Sequence, residues 1–164
     1  MSPRPFIPWP DKRLRTAATP VGDITDETRN LWDEMIEIMD AMPGYGLAAP
    51  QIGVMQRLAV VDCSDERGRA IRLADPEILA ASDETRDWDE ASPNLPGFSA
   101  TITRPARVTV AFTDAGGHRL RQDFEGLWAT SVQHQIDHLD GRMYFERLSR
   151  TKREMFLKKV RKAR

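Results

Sequence analysis

The stretch that most narrows what this chain can fold into is Glu125 to Gly141, EGLWATSVQHQIDHLDG, in which His134 and His138 stand four residues apart. On a helix a four-residue step returns a side chain to nearly the same azimuth, so both imidazoles can reach one atom. At about 100° per residue, Trp128, Ala129, Val132, Ile136 and Leu139 form an apolar stripe, while the histidines share the other side with Leu127 and Ser131. So little charge on any side marks a helix at the centre of a fold. Two readings are open for the pair: a two-histidine metal clamp, or a buried helix whose imidazoles are hydrogen-bonded.

The flanking pattern is mixed. Pro8 to Pro20 reads as extended chain or turns leading into a helix that Asp23 or Thr25 can cap. Leu31, Trp32, Met35, Ile36, Met39 and Met42 recur at three- and four-residue spacing along that helix, and Pro43-Gly44 stops it. GYGLAAPQIG (44–53) follows, then a short apolar strand from Leu58 to Val61 and a return from Arg69 to Leu73. Asp83 to Asp89 is polar and acidic and reads as a solvated loop. Val108, Val110 and Phe112 alternate, and Asp114 to Gly117 turns the chain into His118 to Phe124, an antiparallel hairpin feeding the histidine helix.

With 164 residues, one domain over 1–164 is expected. A formal charge of −1 gives no global attraction to DNA or anionic membrane, and no apolar run approaches the roughly 18 residues of a membrane span. The amino terminus, MSPRPFIPWPDKRLR, carries prolines and charges where a signal peptide has an apolar core, and Cys63 is the only cysteine. Both suit the cytoplasm. Residues 150–164 hold eight basic residues against Glu154 and read as a helix, either a solvated face or a dock for an anionic partner such as the ribosome.

Taken together these segments resemble the peptide deformylase family, metallohydrolases that remove the formyl group from the starting methionine of nascent chains. GYGLAAPQIG matches G-x-G-L-A-A-x-Q, QHQIDHLDG resembles Q-H-E-x-D-H-x-x-G, and PDKRLRTAATPV, Arg104-Pro105 and ERLSRTKREMFLKKVRK fit the rest of the family's length. The resemblance implies an α+β fold, with antiparallel strands around the central HxxxH helix and a carboxy-terminal helix. It implies a divalent metal, iron(II) or zinc, on His134, His138 and the residue at Ser92. Gln51, Gly46 and Gln135 fall at catalytic positions, and Gly44, Gly46, Glu90, Arg104 and Ser131 at positions that bind a formyl-Met peptide.

The second motif of the family, E-G-C-L-S, appears here as Glu90-Ala91-Ser92-Pro93-Asn94. By the resemblance, Ser92 replaces a thiolate ligand with a hydroxyl whose proton is far harder to lose. Pro93 replaces the residue whose backbone N–H holds the oxyanion, and proline has no N–H. Gln135 replaces the glutamate that activates water and shuttles protons. Ala91 adds a methyl that strains the loop if its position needs positive φ. The expectation is a deformylase homologue with weak or absent metal and strongly impaired hydrolysis. Two alternatives stay open: an active amidohydrolase with a non-standard site, and a ribosome- or peptide-binding module without catalysis.

Overall fold

The alternation at Val108, Val110 and Phe112 becomes the long hairpin of the main sheet. The computed structural model describes residues 4–163; residues 1–3 of the proline-rich amino terminus and Arg164 of the basic run lie outside them. Helix α1 (Asp26–Ala41) starts at Thr25, whose hydroxyl accepts from the Thr28 backbone N–H, while Asp26 and Glu27 sit in the first turn, where the helix dipole favours negative charge. Strands β1 (Gly46–Ala48), β2 (Leu58–Val61) and β3 (Ile71–Ala81) follow. Next come β4 (Thr85–Ala91), β5 (Ser99–Pro105), β6 (Arg107–Thr113) and β7 (Arg119–Glu125). The chain finishes with helices α2 (Gly126–Leu139) and α3 (Arg150–Lys162).

All pairings between these strands are antiparallel. One sheet runs in the order β1-β2-β3-β6-β7, and β4-β5 form a separate two-stranded ribbon. Gly126, at φ +60°, makes the corner that carries β7 directly into α2, a backbone state glycine reaches at little cost. The stripe read from the sequence is the buried one: Ala129, Val132 and Ile136 pack on Val61, Leu73, Val108, Val110, Phe112 and Phe124 of the sheet. Trp32, Met35, Ile38 and Met39 of α1 cover Leu47, Leu58 and Val60 on β1 and β2. A third cluster joins Ile7 and Leu14, Leu95 and Ile102 of the ribbon region, and Tyr144, Phe145, Phe156 and Val160. Helix α2 is therefore enclosed between sheet and ribbon.

From Thr85 on, the acidic stretch 83–89 belongs to strand β4 rather than to a solvated loop. Its register pairs Asp87 with Thr103 and Trp88 with Ile102, and Thr103 donates a hydroxyl hydrogen bond to Asp87 at 2.6 Å. A ribbon with one face in water tolerates aspartates that a buried strand would reject, so cross-strand bonds override a poor intrinsic propensity. The return begun at Arg69 likewise runs on as β3 to Ala81, because β6 supplies a partner that sequence periodicity does not announce. Ala91 closes β4 opposite Ser99 and is not among the positive-φ residues, so its methyl meets no left-handed backbone. Among the described residues no helix is long and apolar enough to cross a membrane.

Candidate active site

A cleft of roughly 220 Å³ opens between β1 and β4, with α2 as its floor. Gly44, Tyr45, Gly46 and Gln51 line one side, Trp88, Glu90, Ala91 and Pro93 the other, and Leu127, Ser131, His134 and Gln135 the floor. Trp88 and Tyr45 are exposed large apolar side chains at its rim. Gly46 sits where the walls come closest: a Cβ there would lie 2.5 Å from Gln135 Nε2 and 2.6 Å from Ser131 Oγ. Close approach of β1 to the histidine helix explains why no side chain stands at this position. The Ser131 hydroxyl donates to the Tyr45 carbonyl at 2.9 Å and fastens the same junction.

Both histidines come together as the helical spacing requires. His134 Nε2 and His138 Nε2 lie 3.1 Å apart, close to the roughly 3.3 Å expected for two imidazoles sharing one tetrahedral ion at 2.0–2.1 Å. Glu90 Oε1 is 2.8 Å from His134 Nδ1; an ionised carboxylate only accepts, so this ring nitrogen carries the proton and its Nε2 faces the partner imidazole. His134 also stacks on Tyr144, with ring centroids 5.9 Å apart at 14°. His138 is enclosed, and burial together with the neighbouring His134 pushes its pKa well below the ordinary histidine value.

Behind the cleft wall lies a line of alternating charge. Arg104, on β5, donates two bonds to Glu90 at 2.7 and 2.9 Å and one to Asp137 at 2.8 Å. Arg147 closes the line with two bonds to Asp137, at 2.6 and 3.0 Å. Burial alone would raise the Glu90 and Asp137 carboxyls; the bonds from His134 and Arg104 to the first, and from Arg147 and Arg104 to the second, outweigh it and hold both below the usual carboxylate range. Arg104 thus lies behind the wall and orients Glu90, rather than lining the cleft. Asp137 and Arg147 were not singled out in the sequence. Asp137 is the one acid on an otherwise uncharged helix, and that isolation was its signal.

The donor set for a metal is incomplete. Catalytic zinc sites present three protein ligands, and the residue that the resemblance puts at the third position, Ser92, is a neutral hydroxyl that accepts from Gln51 Nε2 at 3.3 Å and donates to Asn94 Oδ1 at 3.0 Å. Glu90 approaches the opposite nitrogen of His134 and is spent on Arg104. Among the described residues no group of three or more His, Cys, Asp or Glu is arranged to hold an ion. The two imidazoles fit a divalent metal and the third donor does not.

An HxxxH helix with one imidazole on a cleft floor and the other enclosed beside it, inside an antiparallel α+β frame, places the chain in the class of folds built around a central histidine helix. The polypeptide deformylase family model matches residues 3–154. The peptide deformylase of Methylocella silvestris is 42% identical over 165 residues, covering 98% of this chain and 84% of that protein. The crystal structure of a peptide deformylase from Legionella pneumophila superposes with a TM-score of 0.88 at 35% identity, over 98% of this chain and 95% of the other. That of Ehrlichia chaffeensis in complex with actinonin gives 0.89 at 33% identity, over 99% and 98%. The chain belongs to the peptide deformylase family.

Proposed function

We propose that this protein keeps the family's cleft for the amino terminus of a formyl-Met peptide, in the cytoplasm, while its hydrolytic power is strongly reduced and its metal is weakly held or absent. The observation that carries this reading is the state of Gln51: its Nε2 donates to Ser92 Oγ and Asn94 Oδ1, at 3.3 and 2.9 Å, so the side chain that resemblance assigns to the oxyanion is already engaged. Pro93 lines the cleft with no N–H to offer. Gln135 reaches the floor as a carboxamide, and its Oε1 is buried without a partner among the described residues. A carboxamide neither takes a proton from water at neutral pH nor delivers one to a leaving amine, and general acid–base catalysis is worth about 10²–10⁴ in rate. The walls that would hold a peptide are retained, from Gly44 and Gly46 to Ser131 and Glu90.

The test is equilibrium dialysis of a formyl-Met tripeptide against the purified chain, with mass spectrometry of the recovered peptide. Saturable binding with the formyl group intact supports the reading; recovery of deformylated peptide, or no binding, contradicts it.

The basic helix supports a second, compatible role at an anionic surface. Phe156 and Val160 face inward on α3, while Arg150, Lys152, Lys158, Lys159, Arg161 and Lys162 are all exposed. Co-sedimentation with ribosomes that weakens with salt and is lost on deleting 150–164 is the expected outcome, since phosphate contacts are salt-sensitive.

A further inference from the structure

We propose that Asn94 is the positioning residue that withdraws Ser92 and Gln51 from chemistry, by closing all three side chains into one hydrogen-bonded circuit. The proposal rests on the reading of impaired hydrolysis and names what enforces it. Asn94 is 2% exposed and uses every bond its carboxamide can make. Its Oδ1 accepts from Gln51 Nε2 at 2.9 Å and from Ser92 Oγ at 3.0 Å. Its Nδ2 donates to the Ile7 carbonyl at 2.7 Å and to the Gln51 carbonyl at 2.9 Å.

The other two members are equally spent. Ser92 gives its proton to Asn94 and accepts from Gln51 Nε2 at 3.3 Å and from the Asn94 backbone N–H at 3.4 Å. Gln51 Nε2 donates within the circuit to Ser92 Oγ and Asn94 Oδ1, and its Oε1 accepts from the Ala48 backbone N–H at 2.9 Å. The Ser92 hydroxyl and the Gln51 amide nitrogen are therefore both held inside the circuit and turned toward Asn94 rather than toward an ion or an oxyanion. Recruiting either strands a buried partner, which is the costly outcome for a polar group away from water.

Asn94 also anchors the circuit from outside the cleft. The Ile7 N–H donates to the Gln51 carbonyl at 3.0 Å and the Trp9 N–H to the Asn94 carbonyl at 2.9 Å, so the amino-terminal segment, the 44–53 turn and the 92–94 loop are clipped together. The family motif resembled by 90–94 carries serine where Asn94 stands. A serine hydroxyl has one proton and cannot serve the Ile7 and Gln51 carbonyls together. The asparagine is what makes this loop a clasp.

The test compares metal binding by full-length variants, using zinc titrated against a chelator and cobalt(II) read by absorption. Ser92→Cys supplies a thiolate but leaves the clasp, whereas Ser92→Cys with Asn94→Ser releases it. The double variant is expected to bind zinc at least tenfold more tightly than Ser92→Cys alone and to show a thiolate-to-cobalt charge-transfer band that the single variant lacks. Ile7→Ala on the Ser92→Cys background loosens the same segment through packing alone and is expected to leave zinc affinity unchanged. Equal affinity and equal bands in the single and double variants would overturn the role of Asn94, as would a gain from Ile7→Ala equal to that from Asn94→Ser. Either result leaves the impaired-hydrolysis reading standing, because that reading is tested on the unaltered chain, by turnover and by peptide binding.

Discussion

Gln51 Nε2 donates to Ser92 Oγ across 3.3 Å, joining two side chains that lie 41 residues apart and that a working hydrolase would aim at a metal and an oxyanion. Their engagement with each other makes reversion a stepwise matter. Ser92→Cys, Pro93→Leu and Gln135→Glu together supply a thiolate, a backbone N–H and a carboxylate at the positions where the proposed reading finds them missing. They are expected to raise formate release from a formyl-Met peptide by several powers of ten, because the base alone is worth about 10²–10⁴ and one oxyanion donor about 10²–10³. Adding Asn94→Ser is expected to raise it again by at least about tenfold, the effect of one lost bond to the circuit. No gain from the four changes together would mean that the cleft has drifted as well.

Arg104 is expected to be the most expensive residue of the site to remove. It bonds Glu90 and Asp137 while 3% exposed, so Arg104→Met leaves two buried carboxylates short of a partner. Breaking such a buried arrangement costs about 3–5 kcal/mol, to be read as a fall in the urea midpoint at unchanged slope. A loss below about 1 kcal/mol, typical of exposed pairs, would show that Glu90 is oriented by other means.

Asp62 gives a pH signature independent of the histidines. Burial works against its ionised form, but bonds from the Ser64 hydroxyl and backbone N–H and from the Arg69 backbone N–H outweigh it and hold the carboxyl below its ordinary value of 3.8. A carboxyl depressed by folding adds stability above its unfolded value, and that contribution is lost as pH falls through the folded one. Asp62→Asn is therefore expected to destabilise at pH 7 and to cost progressively less below about pH 4. Unfolding curves at pH 7 and pH 3 measure the difference; a penalty that grows on acidification contradicts the assignment.

Cys63 is expected to be inert despite being the only thiol. Burial, reinforced by Asp62, pushes it up to about 12. Alkylation of the native chain by iodoacetamide at pH 8 should run about a hundredfold or more slower than that of the urea-unfolded chain, because the thiolate is the nucleophile. Comparable rates would place the sulfur at the surface.

Much of this was legible in the amino-acid sequence because periodicity reports directly on burial. The stripe at Ala129, Val132 and Ile136 fixed which side of the histidine helix meets the sheet, and the motif residues Gly46, Gln51, His134 and Gln135 converge on one cleft as the family resemblance implied. What escaped depends on pairing between distant segments. Strand β4 was hidden under aspartates that only its ribbon partner makes tolerable. Arg104 read as a residue of the binding surface because no local pattern distinguishes a cation facing a ligand from one facing Glu90. Asn94 read as one more altered letter, since its role needs Ile7 and Gln51, which lie 87 and 43 residues away.

The most direct measurement is kcat/KM for a formyl-Met peptide with the purified chain supplied in turn with iron(II), nickel and zinc, beside a family member carrying the unaltered motifs. The expected value lies at least about 10³ below that reference with every metal, the combined effect of a missing base and a missing oxyanion donor. A value within tenfold of the reference would contradict the account, because it would require Ser92, Pro93 and Gln135 to perform the chemistry of a thiolate, an amide donor and a carboxylate.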